Sequence, residues 1–319
     1  MSALSSMLIA VVGVLPADGP TNDQVQAAVQ RSIPYIQEQG SWWIEEKKCV
    51  SCHRVGTMIW SLSAARQQGF EVSDKLDDWQ SWATEVSLST NDKGKVVGLG
   101  NKEGVAQILL SLHGDADQSD ARKKLTALLL DGQQADGSWK PGGQLPSQKR
   151  PKPETTSVST MWLALALISE ASDEQVAPAV EQAMTFITES PPGKSTEWYA
   201  VQLLLAAWRN DLPSRDQFAE ELRTRQQADG GWGWIVGEES DALGTGMAVY
   251  ALMRAGVDRD DPSILRARQF LVSTQHDDGS WAVRGTKANR KDDVQETAVY
   301  WGTTWAALGL IATLHNEPQ

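Results

Sequence analysis

One short phrase recurs along this chain, and it constrains the fold more than any other feature. The pattern is Gln-x-x-Asp-Gly-(Ser/Gly)-Trp, and it spans residues 133–139, 226–232 and 275–281. A weaker copy without the Asp spans residues 37–42. The copies are separated by one or two periods of roughly 48 residues, which is typical of two-helix repeats. Because Asp-Gly favours a turn with a positive φ, every copy predicts a turn inside a helical hairpin.

The segments on either side of each phrase have helical hydrophobic patterns. The first helix of each pair is amphipathic, as over residues 25–37, whereas the second is apolar on nearly every side, as over residues 158–168. A helix that is apolar all round must be buried. No stretch shows the sustained alternation of a strand. The sequence therefore predicts an all-α (α/α)6 toroid of six helical hairpins, formed as one domain by residues 21–319.

The repeated phrase resembles the QW motif of the squalene–hopene cyclase and prenyltransferase superfamily, and the resemblance covers roughly residues 25–314. It implies a structural role for the motif, in which Gln and Trp tie one outer helix to its neighbour. Physical chemistry agrees, because a Gln can satisfy backbone groups at a helix end and a Trp buries a large apolar surface. The residues concerned are Gln133, Trp139, Gln226, Trp232, Gln275 and Trp281.

The chain departs from the enzymes of this superfamily in its chemistry. The one match to the cyclase Asp-x-Asp-Asp acid, Asp258–Asp261, precedes Pro262 and is interpreted as a helix N-cap rather than a proton donor. The chain has the length of one toroid, whereas the cyclases have two. It also lacks the Asp-x-Cys pair of zinc-dependent prenyltransferases. The resemblance implies an apolar substrate, but not the usual cyclase acid.

The only two cysteines lie in Cys49–His53, a Cys-x-x-Cys-His sequence. This is the attachment pattern of c-type haem, in which Cys49 and Cys52 bind the porphyrin and His53 binds the iron. It resembles cytochrome c-like motifs of exported bacterial proteins. Candidates for a sixth iron ligand are Met58, Met161 and Met247. A zinc site with one distant acid, a redox pair and two inert thiols remain open alternatives.

The N-terminal segment is compatible with export. The apolar run at residues 7–15 is too short to span a bilayer and precedes small residues, which predicts a signal peptide over residues 1–20. No Lys or Arg precedes the run, so an unexported, frayed terminus is the alternative. Export suits c-type haem, which is attached outside the cytoplasm. The net charge of −12 argues against nucleic acid or an anionic membrane as partner.

Aligning the second helices places several candidate groups at one mouth of the toroid. His53 aligns with Thr155 and Ser240, at the starts of these helices, and the alignment puts the next turn deeper in a cavity. That deeper layer comprises Met58, Thr160, Thr245 and Thr303. The mouth also collects the carboxylates Glu103, Glu154, Glu197, Asp241 and Glu296. Paired acids of this kind cut polysaccharides, but capping and the helix dipole also explain them.

Among these acids, Asp241 is the candidate catalytic residue, because the small residues that follow it leave space beside its carboxylate. Four tryptophans on the second helices either line an apolar cavity or pack the core: Trp60, Trp162, Trp301 and Trp305.

Three functions follow from the sequence. The first is an exported toroid that carries a c-type haem in a binding or redox role and works with a redox partner. The second is an enzyme that acts on an isoprenoid-like or other apolar small molecule in the cavity. The third is a carbohydrate-active toroid that uses the mouth carboxylates.

Overall fold

The computed structural model describes residues 19–50, 52–113, 116–170 and 174–314. Twelve α-helices in this part of the chain alternate between an outer and an inner position. The outer helices are α1 Asn22–Lys47, α3 Leu76–Leu88, α5 Ser119–Asp131, α7 Val176–Glu189, α9 Leu212–Thr224 and α11 Pro262–Thr274. The inner helices are α2 Thr57–Gln67, α4 Lys102–Ser111, α6 Lys152–Ile168, α8 Thr196–Trp208, α10 Ala242–Arg254 and α12 Glu296–Ala312.

Four short helical turns complete the secondary structure of the described residues. They are the π-helical turn Cys52–Gly56 and the 3-10 turns Gly98–Gly100, Ala116–Gln118 and Leu145–Ser147. The β-structure in the same residues is limited to isolated bridges between loops.

The inner helices form a closed ring. Each contacts the next in chain order, and α12 returns to contact α2, while α11 contacts α1 in the outer layer. Every residue of α12 from Tyr300 to Ala312 is buried, whereas α9 buries only Ala219 and Leu222. This difference follows from composition, because an apolar helix needs neighbours on all sides. The predicted all-α toroid of six hairpins is confirmed.

The Gln of each strong phrase joins two consecutive hairpins. Its side-chain amide donates one hydrogen bond to the Gly carbonyl of its own turn and another to a carbonyl of the next outer helix. The second bond runs from Gln133 to Ala179 (2.8 Å), from Gln226 to Ser263 (2.7 Å) and from Gln275 to Ala28 (2.9 Å). Because Ala28 belongs to α1, the bond from Gln275 closes the ring.

The Trp of each strong phrase ties the turn to the two helices of its own hairpin. Each indole N–H donates back to the outer helix, at Leu129, Leu222 or Leu271. Each Trp backbone N–H donates to a hydroxyl of the inner helix, and the acceptors are Thr160, Thr245 and Thr303. These threonines were expected to face a cavity, and that expectation is wrong. They are fully buried against the turns.

The turn itself requires glycine. The φ angles of Gly137, Gly230 and Gly279 are 83°, 90° and 85°, a region that side chains other than glycine rarely adopt. The next hairpin also comes close, since a Cβ on Gly279 would lie 2.0 Å from the carbonyl oxygen of Arg31 in α1. The phrase therefore combines a turn with a helix-to-helix contact.

The weak copy at residues 37–42 is not a turn. Helix α1 runs through it to Lys47, well beyond the predicted end at residue 37, and ends at Lys48 in the left-handed conformation. Without Asp-Gly, the segment has no turn to oppose the helix. Gly40 instead makes room for the inner ring, because a Cβ there would lie 2.1 Å from Sδ of Met58. Met58 thus packs against α1.

Two further expectations concern Asp258–Asp261 and the N-terminus. Asp261 is the N-cap of α11 and accepts a hydrogen bond from the backbone N–H of Ser263 at 2.8 Å, so the N-cap interpretation is confirmed. The signal peptide is predicted over residues 1–20. Residues 1–18 lie outside the described residues, and residues 19 and 20 precede α1. Among the helices described, none has the length and apolar character needed to cross a bilayer.

The ring-closing bond gives a stability prediction. Gln275→Ala removes the donor to α1 and leaves the Ala28 carbonyl without that partner, which we expect to lower the free energy of unfolding by about 1 to 3 kcal/mol. The neighbouring exposed residue provides the matched control, and His276→Ala should change it by less than about 0.5 kcal/mol. Urea denaturation followed by circular dichroism measures both. Equal stabilities of the two variants would contradict a ring-closing role for Gln275.

Candidate functional site

The mouth of the toroid collects carboxylates at the starts of the inner helices, as the sequence predicts. Four of them lie in the first helical turn of α4, α6, α8 and α12, and the fifth is the N-cap of α10. In that order they are Glu103, Glu154, Glu197, Glu296 and Asp241. These carboxylates differ in burial and in hydrogen-bond partners. The differences separate the acids with a structural role from the acids that could take part in proton transfer.

Glu197 is a buried, fully hydrogen-bonded carboxylate. One oxygen lies 2.7 Å from Nη1 of Arg150 and the other accepts from Nε1 of Trp162 at 2.9 Å. The Nε1 atom of Trp234 lies 3.3 Å away, and its ring stacks on the Arg150 guanidinium at 5.5 Å. The guanidinium donor makes the bond from Arg150 a charge-assisted hydrogen bond, which is stronger than one between neutral groups. Glu197 and Arg150 therefore form a buried ion pair inside the mouth.

Glu103 has far fewer partners. Its side chain is almost fully buried (4% exposed) and accepts a hydrogen bond from Oγ of Ser159. Burial and, to a smaller extent, the charge of Glu197 raise its pKa from 4.5 to about 7, against the lowering effects of Arg150 and of the Ser159 hydrogen bond. The pKa of this carboxyl group therefore lies near neutral pH, where a general acid or base is most effective.

Two other mouth acids connect neighbouring hairpins. Glu154 accepts a hydrogen bond from the backbone N–H of Ser195 at 2.8 Å, and its other carboxylate oxygen is buried without a hydrogen-bond partner. Glu296 is paired with Arg54, across the junction of the last and first hairpins. Both contacts bridge adjacent inner helices and explain these acids structurally.

The Asp241 carboxylate is hydrogen-bonded to the backbone. Its two oxygens accept hydrogen bonds from the N–H groups of Gly244 (2.7 Å) and Trp234 (2.8 Å). Burial raises its pKa to about 6, against the lowering effect of these bonds. The residue also lines an open pocket of about 440 Å3 together with Lys149 and Arg284. Its predicted catalytic role stays a prediction, and the structure adds that Asp241 caps α10.

The Cys49–His53 motif lies between α1 and α2, at the same mouth. Cys49 is exposed, and its carbonyl accepts a hydrogen bond from Nε1 of Trp43 at 2.9 Å. Desolvation raises the pKa of the Cys49 thiol, which is opposite to the shift of a reactive thiol. Cys52 begins the π-helical turn, which packs against α1, α2, α4 and α12. The side chains of Cys52 and His53 lie outside the described residues.

The residue after this motif was not predicted as part of a site. The Arg54 side chain is fully buried, and its guanidinium lies over the rings of Trp43 (5.0 Å) and Tyr300 (4.6 Å). Nη2 binds Glu296, but Nε and Nη1 have no hydrogen-bond partner. A buried cation normally uses all its donors. Its position directly after the motif was the available signal in the sequence.

Aromatic side chains of the inner helices meet inside the ring. The Trp60 ring contacts those of Trp162, Tyr250 and Trp305 at centroid distances of 5.9, 5.4 and 5.4 Å. Such edge-to-face packing is typical of a core, so packing explains these residues. Trp301 lies apart from them, against Trp234 at 6.3 Å.

The proposed sixth iron ligands are also core residues. Met161 and Met247 are both almost completely buried on inner helices. Their role as ligands stays a prediction.

Comparison with known proteins points to the terpene cyclases by sequence. The family profile described as squalene-hopene cyclase N-terminal domain matches residues 195–284. A terpene cyclase/mutase from an Arthrinium species is 40% identical over 75 residues, which are 22% of this chain and 11% of the relative. Drimenyl diphosphate synthase of Streptomyces showdoensis is 38% identical over 88 residues, which are 26% of this chain and 16% of that enzyme. The matched part is thus a small fraction of these relatives.

Solved structures agree on the fold. A glycosyl hydrolase family 88 protein from Bacteroides vulgatus superposes with a TM-score of 0.65 at 11% identity, covering 92% of this chain and 99% of that chain. A type II terpene cyclase from Scytonema superposes with a TM-score of 0.57 at 14% identity, covering 91% and 97%. Identities this low show the fold alone. Sequence and structure together support a squalene cyclase-like α/α toroid.

The raised pKa of Glu103 gives a pH prediction. The folded state holds this proton up to about pH 7, whereas the unfolded chain releases it near pH 4.5. Wild-type stability should therefore fall as the pH rises between these values. Glu103→Gln removes this dependence. The free energy of unfolding of the variant, relative to the wild type, should therefore rise by about 3 kcal/mol over that range and stay constant above it.

Asp278→Asn is the matched control for this measurement. Hydrogen bonds from Ser280 lower the pKa of Asp278 below its usual 3.8, so the wild type loses stability relative to this variant only below about pH 4, and between pH 4 and pH 8 the difference should stay nearly constant. Urea unfolding between pH 4 and pH 8 measures both differences. A pH-independent difference between the wild type and Glu103→Gln would contradict the raised pKa.

Proposed function

We propose that this protein is an exported squalene cyclase-like toroid that carries one covalently attached c-type haem at its mouth, in a binding or redox role. The observation that carries the proposal is the Cys49–His53 motif, which contains both cysteines of the chain and leads directly into the innermost layer through α2. Exposure of Cys49 supports it, because attachment requires an accessible thiol.

One neighbour of the motif, Arg54, supports a haem. Cys49 and Cys52 would hold the porphyrin by thioether bonds, and His53 would bind the iron. Arg54 offers two buried donors without partners, Nε and Nη1, and a propionate carboxylate is the kind of acceptor that a guanidinium prefers. When bound, the haem supplies one-electron redox chemistry and a ligand-binding iron. The buried Met161 and Met247 remain the proposed sixth ligands.

Export is part of the same proposal. Covalent haem attachment takes place outside the cytoplasm, and the apolar run at residues 7–15 has the length and the following small residues of a secretory signal. A redox partner would then meet the protein in the periplasm or beyond.

The proposal is tested by expressing the full chain with a periplasmic haem-attachment system. We expect a Soret band that survives acid-acetone extraction and a protein mass raised by one haem. The single variant Cys49→Ser should retain less haem after extraction, and the double variant Cys49→Ser/Cys52→Ser should retain none, because the thioether bonds are lost. Absorption spectra and intact-mass spectrometry measure these outcomes.

Gln67→Ala, at an exposed position at the end of α2, is a control and should keep its haem. A colourless wild type that contains one zinc would establish the zinc alternative in place of haem. A colourless, metal-free wild type would leave only thiol roles for the two cysteines. Either result overturns the proposal.

A second function is supported by Glu103. Its buried carboxyl group has a pKa raised to about 7 and lies at the start of an inner helix, and a buried acid of this kind suits protonation of an apolar substrate. The sequence relatives are named as terpene cyclases. For this function we propose Glu103 as the acid, with Asp241 as the alternative.

Turnover of a polyprenyl substrate tests this second function. Glu103→Gln should lower kcat by at least about 100-fold, because glutamine cannot donate the proton, while Asp241→Asn tests the alternative acid. A wild type without turnover excludes the cyclase function. Activity of the wild type on an acidic or neutral glycan, lost in Asp241→Asn, would favour the carbohydrate-active alternative.

A further inference from the structure

A small pocket lies at the mouth where two long loops meet, and we name it the rim pocket. The loops are joined by an isolated β-bridge between Gln148 and Lys287 and by the hydrogen bond from the Lys149 N–H to the Thr286 carbonyl at 2.8 Å. The first turns of α12 form the opposite wall, and the cavity holds about 150 Å3. This space suits one molecule of about the size of a sugar ring.

The rim pocket contains a buried amide without partners. Gln148 is 7% exposed and lines the pocket, yet neither its side-chain nitrogen nor its oxygen makes a hydrogen bond. Leaving a buried donor and acceptor unpaired costs the desolvation free energy of each group without a compensating hydrogen bond. Buried polar groups are therefore almost always satisfied by protein, water or ligand. Gln148 can both donate to and accept from a hydroxyl group.

The charge of the lining selects an anion. Lys287 and Arg290 line the pocket, and none of its lining residues is a carboxylate, although the chain carries a net charge of −12. The nearest carboxylate oxygen to Arg290 is that of Asp293, at a long 3.9 Å. Thr297 places the positive end of the α12 dipole at the same wall. The pocket is a local positive site on an acidic protein.

The other lining groups fit a hydroxylated ring. Trp301 supplies an indole to the wall, and the amides of Asn289 and Gln295 join Gln148 around the space. An aromatic ring covers the C–H face of a sugar, while amides bind its hydroxyl groups in either direction. We propose that the rim pocket binds one monosaccharide-sized sugar acid, with its carboxylate at Lys287 and Arg290 and its hydroxyls at the amides. This proposal is independent of the haem.

Isothermal titration of the full-length protein with glucuronate, glucose and acetate tests the proposal. We expect glucuronate to bind more tightly than either of the other two, because only glucuronate has both the ring and the charge. Lys287→Ala should weaken glucuronate binding about tenfold, since a charge-assisted hydrogen bond is lost. Gln148→Leu should weaken both glucuronate and glucose, because each of them would bind the amide through hydroxyl groups.

Lys291→Ala is the matched control. Lys291 lies on the same loop but lines the neighbouring pocket that contains Asp241, so this variant should bind glucuronate within twofold of the wild type. Thermal unfolding shows whether each variant is folded, and a misfolded Gln148→Leu leaves Lys287→Ala to decide. Equal losses at Lys287 and Lys291, equal binding of acetate and glucuronate, or no binding by the wild type would each overturn the proposal.

Discussion

The ring depends on one repeated contact, the hydrogen bond from a Gln side chain at the end of one outer helix to a backbone carbonyl of the next outer helix. A toroid closes only if each hairpin is rotated by a consistent angle, and this bond fixes that relation at three joints. The joint at Gln275 is special because it reaches α1 across 247 positions of sequence. The Trp of the same phrase ties each turn to both helices of its hairpin, so turn, hairpin and ring are determined by the same residues.

Closure brings the positive ends of six parallel inner helices to one mouth, and this explains the chemistry found there. Carboxylates at helix starts are favoured by the dipole, and most of them also bind the neighbouring hairpin, as Glu154 and Glu296 do. Two of the buried acids differ in their hydrogen-bond partners. Glu197 has a cation and two indoles, whereas Glu103 has one hydroxyl and a raised pKa. The Cys-x-x-Cys-His motif and the rim pocket lie at this same end of the ring.

Much of this architecture could be predicted because the signals are local. Apolar periodicity identifies the helices, and the strong phrases identify three turns and the roles of their Gln and Trp residues. The prediction of a turn at the weak copy, residues 37–42, was wrong, because a Gln, a Gly and a Trp at similar spacing do not make a turn without Asp-Gly. The expectation that a cavity is lined by Thr160, Thr245 and Thr303 was wrong for another reason. On a helix buried all round, spacing alone does not tell which side faces the axis and which faces the outer layer.

The sequence by itself determined the helical hairpins, their number, the QW joints and the Cys-x-x-Cys-His motif, since each is encoded within a few neighbouring residues. Only the tertiary structure decided which distant groups meet: Arg54 with Glu296, Arg150 with Glu197, and Gln148 with Lys287. It also decided the burial that raises the pKa of Glu103 and leaves the side-chain amide of Gln148 without hydrogen-bond partners. Desolvation and electrostatic coupling depend on three-dimensional distance, which closure of the ring sets and local sequence does not.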